Sequence, residues 1–172
     1  MRTISLLPAV IALAVAGCGG DGESGSKAAS DDAAMKKKED AAMQKKDEDA
    51  MEKGRATITL RESGFGPMLF DESKQAIYVF ERDSRNGTVC YEKCAEEWPP
   101  ALSKGAPHAE NGVDDSLLGT IKRRDGGTQV TYAGKPLYFY AHEDPGVVLC
   151  HNVNKNGGYW WVIGADGKRR PA

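Results

Sequence analysis

Apolar positions divide this chain into three stretches of different spacing. Ile4 to Ala16 is a predominantly apolar run, shorter than the roughly 20 residues a membrane-spanning helix needs. From Gly19 to about Arg55 the apolar signal empties, leaving mostly Gly, Ser, Ala, Asp, Glu, Lys and Met, with no aromatic, Leu, Ile, Val or Pro. Such a stretch has nothing to bury and forms no core. From Ala56 onward apolar and polar residues alternate, as in Ala56-Thr57-Ile58-Thr59-Leu60-Arg61. Further strand-like runs follow at Met68 to Phe70, Ile77 to Phe80, Gln129 to Tyr132, Leu137 to Tyr140 and Tyr159 to Ile163. Turn signals separate them, among them Asn86-Gly87, Asp125-Gly126-Gly127, Asp144-Pro145-Gly146 and Asn156-Gly157-Gly158. Only Tyr91 to Glu97 reads as helix, stopped by Pro99-Pro100. The pattern predicts one all-β domain over about 56–172, a small antiparallel sandwich or barrel.

The polar stretch has its own organisation. It is rich in Gly and Ser through Ser26, then Lys27 to Lys53 is built from good helix formers. Ala33-Ala34-Met35, Ala41-Ala42-Met43 and Asp49-Ala50-Met51 repeat every eight residues. At 100° per residue, eight residues advance 800°, so successive methionines precess by about 80° and never align as a stripe. A charged spacer is expected rather than a coiled-coil seam or a methionine metal site. Fully helical, it reaches on the order of 40 Å.

Ahead of the spacer, Met1 and Arg2 give a positive start, and Val15-Ala16-Gly17 the small residues of a cleavage site, so 1–17 reads as a signal peptide. Leu13-Ala14-Val15-Ala16-Gly17-Cys18 resembles the lipobox of bacterial lipoproteins, in which the cysteine is diacylated and becomes the new N-terminus. Acyl chains on Cys18, at roughly 0.8 kcal/mol per buried methylene, anchor stably. The expected layout is signal peptide 1–17, lipidated spacer 18–55 and β domain 56–172, in the cell envelope outside the cytoplasm. The net charge of −2 supplies no basic excess for nucleic acid. Membrane contact is expected through the lipid alone.

The β part contains a duplication. Ile77-Tyr78-Val79-Phe80-Glu81-Arg82-Asp83 recurs sixty positions on as Leu137-Tyr138-Phe139-Tyr140-Ala141-His142-Glu143, and Val89-Cys90 recurs as Leu149-Cys150 without a gap. Tyr78 and Phe80 share one strand face, as do Tyr138 and Tyr140. They are expected to fill a core near a pseudo-two-fold axis, with Asp83 and Glu143 capping the turns that follow. These two Tyr-x-aromatic-x-x-acid copies, the Cys90-Tyr91-Glu92-Lys93-Cys94 loop before Trp98-Pro99-Pro100, and Gly119-Thr120-Ile121 through Tyr138 resemble the predicted lipoprotein family with a Yx(FWY)xxD motif, the secreted repeat of unknown function. The resemblance covers nearly all of the β part and implies no established activity. Glu143 stands where the motif has Asp.

With Cys18 lipidated, Cys90, Cys94 and Cys150 remain, and one disulfide leaves one thiol over. Spacing permits either a local Cys90–Cys94 loop or a bridge from Cys150 to one of them; the family resemblance favours Cys90 with Cys94. Cys150 is then expected as a small buried hydrophobe, although His142, His151 and the more distant His108 make a metal site conceivable. No cofactor is expected. Three function classes follow. The first is a non-catalytic envelope module binding a protein, wall component or small ligand through exposed Trp98, Trp160 or Trp161. The second is a copper, zinc or thiol-redox protein; its Cys-x-x-x-Cys resembles copper-delivery proteins, whose βαβ pattern is missing here. The third is a hydrolase using Asp83 and Glu143 as acid and base, for which no nucleophile loop, oxyanion hole or phosphate cradle is visible.

Overall fold

The computed structural model describes residues 54–172. The expected signal peptide, Cys18 and the expected spacer lie outside the described residues. Nine short strands follow one another: β1 (Thr57–Arg61), β2 (Met68–Asp71), β3 (Tyr78–Phe80), β4 (His108–Glu110), β5 (Leu118–Lys122), β6 (Thr128–Tyr132), β7 (Lys135–Pro136), β8 (Val153–Lys155) and β9 (Gly158–Val162). One helix, α1 (Lys93–Glu97), and a 3-10 turn at Asp115–Leu117 complete the described residues. The strands form three three-stranded sheets, ordered β2-β1-β4, β3-β9-β8 and β5-β6-β7. The chain is thus all-β and built from two copies.

Each copy opens with a hairpin. β1 pairs antiparallel with β2, and β5 with β6; β5 starts sixty-one residues after β1, and β6 sixty after β2. The same offset governs the backbone. Positive φ occurs at Gly66 and Gly126, Lys74 and Gly134, Asn86 and Gly146, and Glu92 and Asn152. Four turns therefore repeat their geometry even where a lysine or glutamate occupies a conformation that glycine adopts far more easily.

The copies then interlock. Tyr78 and Tyr138 bridge each other, each N–H donating to the other's carbonyl at 2.8 and 2.9 Å. β3 of the first copy pairs with β9 of the second. Leu69 N–H donates to Ile163, and Val130 N–H to Ala101, so each hairpin is extended by the end of the other copy. Side chains alternate as the period-two pattern requires. Tyr78, Phe80, Trp98, Tyr138, Trp160 and Val162 fill one core cluster, while Ile77, Val79, Val130, Tyr132, Leu137 and Ile163 fill the other.

Three local expectations change. β4 lies parallel to β1, an exception to the antiparallel pattern, and its His108-Ala109-Glu110 carries no strand signature. Leu137 to Tyr140 is not a continuous strand; it is held by bridges from Tyr138 to Tyr78 and to Pro100, and a proline cannot donate a ladder bond. The helix begins at Lys93 rather than Tyr91, because Glu92 turns the chain at φ 54.

Candidate functional site

The motif tyrosines and acids exchange partners between copies. Tyr138 donates its hydroxyl to Asp83 Oδ2 at 2.6 Å, and Tyr78 donates to Glu143 Oε2 at 2.8 Å. Each acid also closes its own loop: Asp83 Oδ1 accepts from Val89 N–H at 2.9 Å, and Glu143 Oε2 accepts from Leu149 N–H at 3.0 Å. The turn-capping role is present, joined by one the sequence did not suggest. Asp83 gives each donor its own oxygen, whereas Glu143 receives both on Oε2 and leaves Oε1 buried without a partner. The longer glutamate stem thus fills the position less well than aspartate does. Tyr138's only proton goes to Asp83, so Thr88, 2.6 Å away, donates to the phenol oxygen. Burial is the leading influence on both pairs, raising the Asp83 and Glu143 carboxyls and the Tyr78 and Tyr138 phenols above their ordinary pKa values.

Between the copies lies a cleft of about 250 Å³. Its walls come from the loop after β3 and the Ala133-Gly134 turn before β7, pinned together by Asn86 N–H donating to Gly134 at 2.8 Å. Arg85, Lys135 and Arg169 line it together with Glu81 and Asp83. Arg169 lies 3.7 Å from Glu81 and stacks over Trp161, and Lys135 donates to the Gly167 carbonyl. Arg85 has no ion-pair partner among the described residues.

A model of the family Lipoprotein_15, described as a secreted repeat of unknown function, matches residues 59–102 and again 119–163. The chain belongs to this family. The two matches begin sixty residues apart, the offset of the turns and the exchanged pairs. Each family repeat therefore carries one tyrosine and one acid that complete the other repeat. No curated protein and no solved structure matches the chain.

Within this secreted repeat, the remaining sequence candidates fall in separate places. Trp98 and Trp160, expected at the surface, are fully buried; Trp161 is half-buried. Their size made them core material once two copies shared one interior. Cys90 and Cys94 form a disulfide with Cα atoms 5.2 Å apart, and Cys150 is a free, buried thiol that burial pushes toward its protonated form. His151 has both ring nitrogens engaged, Nδ1 accepting from Val162 N–H and Nε2 donating to the Pro171 carbonyl. His142 packs edge-on against Tyr140, and His108 lies 3.9 Å from Glu110. Among the described residues, no three His, Cys, Asp or Glu side chains gather where one ion could be held.

Sequence reading missed Arg123. Its nearly inaccessible guanidinium donates to Gln129, to Asp125 and to the Cys90 carbonyl at 3.0 Å. It ties the disulfide loop of one copy to the hairpin of the other. The cleft cations were also missed. Of these cations, only Lys135 lies within the Gly119 to Tyr138 stretch that carries the family resemblance.

Proposed function

We propose that this protein is a non-catalytic module of the cell envelope, tethered through lipid on Cys18, whose β domain binds a small anion in the cleft between its two repeats. The cleft cations carry this reading. Glu81 is offset by Arg169, and Arg85 and Lys135 outnumber the remaining carboxylate, Asp83, whose oxygens are taken up by Tyr138 and Val89, so the cleft keeps a net positive charge for a ligand. A carboxylate or phosphate meets paired charge-assisted donors there. The motif acids support the non-catalytic reading, since both are engaged in internal hydrogen bonds.

The test is calorimetric titration of the full chain in detergent with acetate, succinate and inorganic phosphate, alongside Arg85→Ala and Lys135→Ala. Binding by the parent that weakens about tenfold or more in each variant, a loss of about 1.4 kcal/mol, supports the cleft. Binding unchanged in both variants, or absent for all three anions, sinks it. The tether has its own test: Cys18→Ser should move the protein from the membrane to the soluble fraction, and a variant still wholly in the membrane would refute the anchor.

A further inference from the structure

The two hairpins are finished differently at their outer edges. In the first repeat β1 is covered: β4 lies parallel beside it, with Ala109 in register with the buried Ile58. In the second repeat nothing among the described residues pairs with the outer edge of β5. Residues 168–170, sixty positions on from β4, turn back instead, Gly164 N–H donating to the Lys168 carbonyl and Ile163 bridging Arg169. The direction of the open groups follows from β6. Val130 N–H donates to Ala101 and its carbonyl accepts from Leu137, so both point away from β5. Directly opposed residues of an antiparallel pair exchange both bonds or neither, in alternation. Thr120, opposite Val130, therefore turns its N–H and carbonyl outward, as do Leu118 and Lys122 on either side of it. The Leu118 N–H is taken by the Asp115 carbonyl. The Leu118 carbonyl, both Thr120 groups and the Lys122 N–H have no backbone partner among the described residues. A groove of about 190 Å³ lies against this edge, lined by Ala106, Pro107, Asp115, Leu118, Gly119 and Thr120, none of which lines the anion cleft.

We propose that β5 takes an extended peptide segment of a partner protein as an added parallel strand, in the arrangement that β4 adopts on β1. The open groups match such a guest. One guest residue donates to the Leu118 carbonyl and accepts from Thr120 N–H, and the residue two further on donates to the Thr120 carbonyl and accepts from Lys122 N–H. The first of these bonds has its counterpart in the first repeat, where His108 N–H donates to the Ala56 carbonyl at 2.8 Å. Charge sets the order of the guest's side chains. Asp115 stands at the Leu118 end of the edge and the exposed Lys122 at the other, and neither has an ion-pair partner among the described residues. A parallel guest runs from Asp115 toward Lys122, so a basic residue at its start and an acidic one at its end each meet opposite charge. An antiparallel guest needs the reverse order. β4 itself has the parallel order, His108 before Glu110 with the small Ala109 between them. The partner segment is therefore basic, then small, then acidic, held by main-chain bonds and selected by its charges.

The experiment is an amide NMR titration of the isotope-labelled full chain in detergent. One probe is acetyl-Pro-Lys-Ala-Glu-Asn-amide, a copy of residues 107–111 with lysine in place of the histidine. The other is its charge-swapped twin, acetyl-Pro-Glu-Ala-Lys-Asn-amide, so that a difference between them reads the order of charges alone. The expected result is saturable shifts of the Thr120 and Lys122 amides at millimolar peptide, with the first probe binding roughly fivefold more tightly than its twin. Thr120→Pro removes the outward N–H without breaking a bond to β6, and should weaken the first probe about tenfold. Exchanging the two charges, Asp115→Lys with Lys122→Glu, should invert the preference between the probes, a result that does not depend on the proline variant folding. Equal binding of the two probes, shifts confined to other residues, no shift at millimolar peptide, or a preference unchanged by the exchange overturns the proposal. Shifts of the same amides with protein concentration alone assign the edge to a second copy of this chain and overturn it equally.

Discussion

Tyr78 and Tyr138 carry both packing and polarity, and the two can be separated. Emptying either ring site with Tyr78→Ala or Tyr138→Ala is expected to cost about 3–5 kcal/mol, measured by denaturant titration. Stable alanine variants would mean that the motif is not architectural. Asp83→Asn keeps the volume and one acceptor, so its cost should be about 1–2 kcal/mol, the scale of weakened bonds to a charged group. Its pH dependence has a definite sign. Burial raises the folded carboxyl above its unfolded value, so folding favours the protonated acid. That contribution is complete below the unfolded pKa and is lost as pH rises through the folded one. The destabilisation caused by Asp83→Asn should therefore be larger near pH 4 than at pH 7; equal or reversed values would contradict the raised carboxyl. None of this exchange was legible in the sequence. Tyr78 and Glu143 are far apart along the chain, and only the interlocking of the copies brings them together.

Legibility was greatest for strands with a strong period-two pattern. β1, β2, β3, β6 and β9 lie where alternating or apolar runs predicted them, because their side chains enter the core clusters, from both faces in β2, β3 and β6. β4 and β8 were not visible, since His108-Ala109-Glu110 and Val153-Asn154-Lys155 present little apolar surface and owe their conformation to neighbouring strands. Repeated turns behave similarly: the sixty-residue offset is visible in the strands, but that Lys74 shares Gly134's left-handed conformation is not. Lys74 sits at φ 68, which costs a side-chain-bearing residue about 1–2 kcal/mol. Lys74→Gly should thus raise stability by up to about 1 kcal/mol, once the greater freedom of glycine in the unfolded chain is deducted. In the other copy, a Cβ added at Gly126 meets nothing within 4 Å, yet φ is 90. Gly126→Ala should therefore destabilise by about 1–2 kcal/mol through backbone strain alone. Opposite signs in thermal melts of the two variants are the expected outcome; a loss of stability in Lys74→Gly would show that its turn is not strained.

For the whole molecule, duplication with exchange makes the two repeats one folding unit. The first copy alone lacks β9 to pair with β3, the Ile163 carbonyl for Leu69 and the acid for Tyr78. The second lacks the reciprocal partners, including Asp83 for Tyr138 and the Cys90 carbonyl for Arg123. Residues 54–112 and 113–172, expressed separately, should each show no cooperative thermal transition, because each buries only part of the shared aromatic core. Mixed in equal amounts, the two pieces should regain a cooperative melt, since every missing contact is supplied in trans. The spacer supplies a contrasting case. Lys27 to Lys53 has no apolar stripe with which to dock, so a chain starting near Arg55 should melt within a few degrees of the longer one. A cooperative transition in either half alone would contradict the exchange as the organising feature of this fold. The Tyr-x-aromatic-x-x-acid motif would then mark a self-contained repeat, instead of half of a structure that its neighbour completes.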